Sequence, residues 1–280
     1  MALCFFVSDL HGRRERYRAL WDVIAREKPA AVFFGGDLLP MWMQEGDFHT
    51  TTLMPGFARL HAELGPDYPR IFLIPGNDDP RVLADDFASG VREGLWECMH
   101  GRQSRLGDNP VYGYGHVPPT PFQLKDWERY DVSRYVDPGC ISPEEGRRSV
   151  AVPARRIRYT TIAEELAALT EGQDLSQAIC LFHSPPYDGL LDLADLEGKS
   201  FDHVPLDPHV GSMAIQRFIA ERQPLITLHG HVHESTRLTG AWRETRGRTT
   251  CFNAAHDGPE LSLIRFDPAA PETATRELLS

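Results

Sequence analysis

The sequence predicts an α/β fold built on buried, mostly parallel strands, and three observations carry that reading. Five short apolar runs, at residues 3–7, 30–34, 71–74, 179–182 and 225–228, show no apolar–polar alternation and stop abruptly at polar residues, as strands covered on both faces do. Between the first two, Tyr17, Leu20, Trp21 and Ile24 recur at i, i+3, i+4 and i+7 within residues 13–28, the stripe of an amphipathic helix. Strand, helix, strand in that order starts a βαβ unit. Each of the five runs also leads directly into a polar cluster, and in open α/β sheets ligands bind at the carboxyl ends of the strands.

Further helices are expected over 47–64, 157–169 and 213–222, and short strands near 235–238, 249–253 and 261–266. Residues 113–153 behave differently. Pro118, Pro119, Pro121, Pro138, Pro143 and Pro153 interleave there with Trp127, Tyr130 and Tyr135, and neither the helix nor the strand period is sustained. This reads as an irregular insertion that walls the active site, with one of the three aromatics packed on substrate; disorder and ordinary core packing are the plainer alternatives. No internal repeat is visible.

Composition narrows the function. With 41% hydrophobic and 25% charged residues the chain is globular, and its 280 residues suit one large α/β domain or two small ones. Lys plus Arg number 29 against 40 Asp plus Glu, a net charge of −11 that argues against coating a nucleic acid. No apolar run approaches the roughly 18 residues a bilayer span needs. The start, MALCFFVSDL, has no basic segment and reaches Asp9 too early for a secretory signal. Five scattered cysteines, Cys4, Cys98, Cys140, Cys180 and Cys251, have neither disulfide nor zinc spacing, so reduced thiols in a cytoplasmic protein are expected.

The chemistry lies in the clusters. The first run leads to Asp9 and His11, the second to Gly35-Gly36-Asp37, the third to Gly76-Asn77-Asp78-Asp79, the fourth to His183, and the fifth to His229-Gly230-His231-Val232-His233. Any one is weak: Asp-x-His arises by chance about once in this composition, and a further copy, Asp207-Pro208-His209, follows no apolar run and reads as a loop. Taken singly, His183 suits a hydrogen-bonded core position, and Asp9 or Asp37 a helix cap or turn. Together, carboxylates and imidazoles at converging strand ends suit divalent cations, and two such ions about 4 Å apart suit phosphoryl displacement.

In that order the blocks resemble the calcineurin-like metallophosphoesterases, with Asp-x-His, Gly-Asp-x-x-Asp, Gly-Asn-His-Glu/Asp, His and Gly-His-x-His, and most closely the Icc-related predicted phosphoesterases. The resemblance implies a single domain over 1–280, a four-layer α/β/β/α sandwich of two mixed β-sheets. It implies two divalent ions of Mn, Fe, Zn or similar type. Asp9, His11 and His233 would hold the first, Asn77, His183 and His231 the second, with Asp37 bridging. It further implies a phosphoesterase in which a metal-bridging hydroxide attacks a small phosphate ester in line, with Asp37, Asn77, Asp78 and His231 in the catalytic set. A phosphodiesterase is expected in preference to a phosphomonoesterase. A metal-poor binding scaffold of the same fold and a protein phosphatase are the rivals. The intact ligand set disfavours the first, and the missing Arg-Gly after the second block disfavours the other.

Two positions depart from the pattern. The histidine after the asparagine, the family's leaving-group acid, is Asp78 here, and the carboxylate that partners it is replaced by Pro40. Among residues near the blocks, His229 is expected in the core or behind the ligands, Arg13 and Arg14 on a solvated helix face or at a phosphate, and Tyr187, Asp188 and 253–256 near the pocket.

Overall fold

The protein is described by a computed structural model covering residues 2–41 and 47–280. The chain runs through β1 (Cys4–Val7), α1 (Arg14–Glu27), β2 (Ala31–Phe34), α2 (Met54–Leu64), β3 (Arg70–Leu73), α3 (Ala84–Arg92) and β4 (Glu97–Cys98), the first βα half. The hairpin of β5 (Arg102–Leu106) and β6 (Asn109–Tyr114) follows, then α4 (Ala154–Tyr159), α5 (Ile162–Leu169), β7 (Ile179–Phe182), and the small hairpin of β8 (Ser200–Phe201) and β9 (Val204–Pro205). The last part holds α6 (Met213–Arg222), β10 (Ile226–His229), α7 (Ser235–Thr239), β11 (Arg243–Arg246), β12 (Thr249–Asn253), β13 (Leu261–Phe266) and β14 (Thr275–Leu279).

These strands form two mixed six-stranded sheets, ordered β14-β13-β1-β2-β3-β4 and β11-β12-β10-β7-β6-β5, parallel in their centres and antiparallel at every edge except β4, which pairs parallel with β3. Strand alternation sets the layers. Phe6, Phe33 and Phe72 lie in register across β1, β2 and β3 and face the second sheet, where Ile179, Leu181, Ile226 and Leu228 meet them in one buried core. Phe5, Val7, Val32 and Phe34 point the other way, onto Tyr17, Leu20, Trp21 and Ile24 of α1 and Phe57 of α2. On the far face Cys180 and Phe182 pack against Ile162 and Leu166 of α5 and Ile215, Phe218 and Ile219 of α6. The result is the expected helix, sheet, sheet, helix sandwich.

Three expected elements differ. Residues 235–238 form part of helix α7, not a strand; the helix ends where Gly240 turns to φ +73°, and Ser235 is buried under the Asn253 side chain at 2.9 Å. The stretch 157–169 is two helices, because Thr161 takes an extended conformation and makes a reciprocal capping box with Glu164 at the start of α5. In 47–64 a wide turn over His49–Leu53 precedes α2, which starts only at Met54.

The insertion begins inside β6 and is ordered by isolated bridges, Val117 with Glu128, Leu124 with Arg147 and Tyr130 with Thr161. Its centre is charged: Lys125, Asp126, Glu128 and Arg129 are each at most 1% exposed. Burial at that cost requires partners. Lys125 pairs with Glu128, and Asp126 accepts the Arg81 and Ser149 backbone amides at 2.8 and 3.0 Å.

Of the three aromatics expected on substrate, Trp127 is 8% exposed and Tyr130 is 3% exposed, whereas Tyr135 is 67% exposed. Trp127 donates its indole N–H to the Asp79 carbonyl at 2.7 Å, tying the insertion to the third polar loop. Replacing it leaves a cavity and an unpaired carbonyl, so Trp127→Ala is expected to cost about 3–5 kcal/mol of unfolding free energy. Thermal and urea melts check this; a raised KM at unchanged stability would place Trp127 at the substrate instead.

Candidate metal centre

All five polar clusters lie at the carboxyl ends of β1, β2, β3, β7 and β10, and the backbone is bent to bring them together. Asp9, His11, Asp37 and His231 hold φ of +57°, +48°, +51° and +72°, a left-handed conformation that costs side-chain-bearing residues energy and persists where the surroundings enforce it. The enforcement is visible. The first loop continues pairing with the second, Asp9 N to Gly36 O at 2.9 Å and His11 N to Asp37 O at 2.8 Å. The Asp79 carboxylate then accepts the amides of Leu38, Leu39 and Gly76, clamping the second loop to the third. Gly36 is required there, because a Cβ would lie 2.7 Å from His183 Nδ1 and 2.8 Å from the Gly76 backbone.

Two donor trios result. Ligand atoms of Asp9, His11 and His233 lie within 4.8 Å of one another, and so do those of Asp37, His183 and His231. Asp37 joins them: its Oδ2 is 3.2 Å from His183 Nε2 and 3.9 Å from His11 Nε2. Asn77 Oδ1 is 3.0 Å from His183 Nε2, which places the asparagine with the second trio. His11 Nδ1 lies 3.6 Å from Asp78 Oδ2, so Asp78 reaches the same space from the side. Every candidate ligand therefore arrives in one region.

Electrostatics mark the region as short of positive charge. Burial raises Asp78 and Asp79 to about 7, helped in both cases by the Asp37 carboxylate. Burial opposes charge on His183 too, yet Asp37 and Asp9 outweigh it and hold the imidazole protonated, at about 10. His231, half-buried and beside cationic His183, is lowered by desolvation and then by that charge to about 3 and is neutral. Asp9 is held ionised against burial by the hydrogen bond and charge of His233. Protons on histidine thus stand in for cations among four carboxylates.

A family model for calcineurin-like phosphoesterases matches residues 4–235. The chain belongs to that family. The protein TT1561 of Thermus thermophilus is similar in structure, with a TM-score of 0.58 at 16% identity over 100% of this chain and 99% of that one. So is a dimetal phosphatase from Danio rerio, at 0.52 and 13% over 94% and 95%. No curated protein matches in sequence.

Members of this family use two divalent ions, and the donor chemistry here fits them. His183 Nδ1 faces the Gly35 carbonyl at 2.6 Å, which fixes its hydrogen on Nδ1 and leaves Nε2 for a metal once the second proton is lost. His231 is already neutral, and binding displaces protons from the remaining imidazoles.

Neighbouring residues sort as follows. His229 is fully buried, 2.9 Å from the Ser184 carbonyl and 2.8 Å from Thr227 Oγ1, a core position that fixes the loop after His183. Exposed Arg13 donates to the Gly258 carbonyl at 3.0 Å, and Arg14 bonds Thr52. The sequence reading missed Arg16, which is buried at 3% and joins the Asp9, His256 and Gly258 carbonyls; its place on the buried stripe one residue before Tyr17 was the available signal. It also missed Asp79. Asn253 holds the Leu191 carbonyl and Ser235, His256 pairs with Glu260, and Asp188 is exposed, so none of the three joins the trios. Asp207 and His209, read as a loop, are one.

His229 also supplies a pH test. Burial lowers it to about 3, so between that pH and the ordinary value near 6.5 the unfolded chain binds a proton the folded chain refuses. Stability therefore rises with pH in that window, by on the order of 1.4 kcal/mol per pH unit for one such group. His229→Gln is expected to flatten the fall in unfolding free energy from pH 6.5 to 4.5; an unchanged slope would assign the acid sensitivity elsewhere.

Proposed function

We propose that the protein hydrolyses phosphodiesters at a dinuclear centre, with Asp9, His11 and His233 holding one ion, Asn77, His183 and His231 the other, and Asp37 between them. The observation that carries this is the pair of donor trios joined by one fully buried carboxylate. Two divalent ions there supply charge neutralisation at phosphorus and a nucleophile available at neutral pH. The chain's own groups do the positioning. Asp78 N donates to Asp37 Oδ1 at 2.8 Å, leaving Oδ2 turned to His183 and His11. Asn77 donates its amide to Asp78 Oδ1 at 3.0 Å, which presents its carbonyl oxygen to the second trio.

A diester in preference to a monoester is supported by where the nearby guanidinium groups go. Arg13 and Arg16 direct theirs to backbone carbonyls, whereas a monoester dianion calls for extra cationic contacts beyond the ions. We read 1–280 as one domain, with 113–153 walling the site. A cytoplasmic setting is supported by five free cysteines; among the described residues no helix is long and apolar enough to cross a membrane.

The test is hydrolysis of bis-p-nitrophenyl phosphate after chelation and titration back with Mn, Fe or Zn. Activity is expected to return at about two ions per chain and to exceed that on p-nitrophenyl phosphate. Full activity in the chelated protein would overturn the metal assignment, and a preference for the monoester would overturn the diester reading.

A further inference from the structure

A cavity of about 490 Å³ lies between the insertion and the β8–β9 hairpin, and Tyr187, on the loop that follows His183, lines it. That volume is typical of a small-molecule pocket. Its wall joins aromatic surface with negative charge. Tyr135 and Phe201 are 67% and 51% exposed, a large uncovered area for aromatic rings, and Tyr187 lines the same space. Asp131, Asp137 and Asp207 supply the charge, no lysine or arginine is among the described residues that line it, and the one histidine among them, His209, turns its Nδ1 to the buried Asp192 carboxylate at 2.9 Å.

The three carboxylates are not equivalent. Asp131 is committed to the fold, accepting Ser212 Oγ at 2.6 Å and the Met213 amide at 2.7 Å at the start of α6. Asp207 accepts the Tyr187 hydroxyl at 2.6 Å and the His209 amide at 2.9 Å, which fixes it while leaving lone pairs free. Desolvation and the charge of Asp207 raise Asp137, whose field is therefore one of two like charges facing a common space. An anionic group is repelled there. A neutral apolar group gains the rings but leaves both carboxylates uncompensated.

We propose that this cavity binds an organic ammonium group, with the rings of Tyr135, Tyr187 and Phe201 around its apolar shell and Asp137 and Asp207 opposite its charge. Aromatic faces combined with carboxylates are the recurring physical solution for quaternary ammonium groups, which, unlike a primary ammonium, have no N–H to hydrogen-bond water and are weakly hydrated. Building on the phosphodiesterase reading, the group is the alcohol portion of the substrate, so the favoured ester is zwitterionic, carrying one negative charge at phosphorus and one positive charge in the cavity.

The experiment compares p-nitrophenyl phosphocholine with p-nitrophenyl 3,3-dimethylbutyl phosphate, its uncharged carbon isostere. In both, water adds at phosphorus and the bond to p-nitrophenolate breaks, so leaving group and phosphorus charge are the same. The choline ester is expected to have the higher kcat/KM, by at least about fivefold, the factor one partly desolvated cation–π contact supplies. In Asp137→Asn combined with Asp207→Asn the ratio is expected to fall to near one; the asparagine at 207 still accepts from Tyr187, and the ratio within one variant is independent of the folded fraction. Equal rates in the unsubstituted protein, or a preference for the dimethylbutyl ester, would overturn the inference. If neither ester is hydrolysed, the phosphodiesterase reading fails by itself, and titration with choline chloride followed by NMR decides the cavity: saturable binding lost in the double variant supports it, and no binding overturns it.

Discussion

Asp37→Asn is expected to lose at least one of two bound ions and to reduce kcat/KM by about a thousandfold or more, since one preorganised donor at such a site is already worth 10²–10³. Asp37 is 2% exposed, its Oδ1 is committed to the Asp78 amide, and its Oδ2 faces both trios. Asparagine keeps one acceptor oxygen but puts an N–H₂ where the other must contact a cation, and it removes the charge that offsets repulsion between two dications. The same change has a signature in the metal-free protein. Asp78 and Asp79 are held at about 7 by burial and next by Asp37, so both carboxyls are expected to titrate lower in the variant. Metal analysis after dialysis, with NMR titration of the aspartates, checks both parts. Two tightly held ions in Asp37→Asn would reject the bridging assignment.

How much of this was legible in the sequence depends on what each residue's surroundings are made of. The strands that carry the site were readable because both faces of each sheet are covered, which writes burial as unbroken apolar runs such as Cys4-Phe5-Phe6-Val7. The ligands were readable because they follow those runs directly. The β5–β6 hairpin was hidden: β5 is Arg-Gln-Ser-Arg-Leu, an edge strand whose polar residues face solvent and show no apolar signal. Helix α7 was misread because a five-residue helix is too short to display its period. In the insertion, irregularity was legible but its burial was not, since Lys125, Glu128 and Arg129 are types that signal surface, and they sit inside through pairings made only in the folded chain, Lys125 with Glu128 and Arg129 with Glu165. Asp79 was hidden for a related reason. As the second of two adjacent aspartates it reads as a surface turn, and its role as acceptor of three amides from two loops exists only in the folded chain.

The hydrolysis rate is expected to depend steeply on the leaving group, because the chain has no well-formed acid where the family carries a histidine. Asp78 occupies that position, 3.6 Å from His11 and 30% exposed. Pro40 replaces the partner carboxylate, and its ring packs on the first loop, so close that a Cβ on Gly12 would meet it at 2.2 Å. In the metal-free chain Asp78 is raised to about 7, first by burial and then by Asp37 and Asp79. Two dications outweigh the carboxylates of Asp9, Asp37 and Asp79 and reverse that shift, which leaves Asp78 ionised at neutral pH. An ionised carboxylate donates no proton, and general acid catalysis is worth about 10²–10⁴ in rate, most of it for basic alkoxides. Aryl diesters are therefore expected to be turned over faster than alkyl diesters by a factor in that range, and log kcat is expected to fall steeply as leaving-group pKa rises. Asp78→His alone is expected to help alkyl esters little, because nothing at position 40 orients the new imidazole. Pro40→Asp with Asp78→His is the informative pair, and it is expected to flatten the plot if the variant retains its two ions. A flat plot for the unsubstituted protein would show that a proton is already being delivered, either by an Asp78 that stays protonated beside the ions or by another group. Asp78→Asn separates those cases: a plot that steepens assigns the proton to Asp78, and one that stays flat assigns it elsewhere.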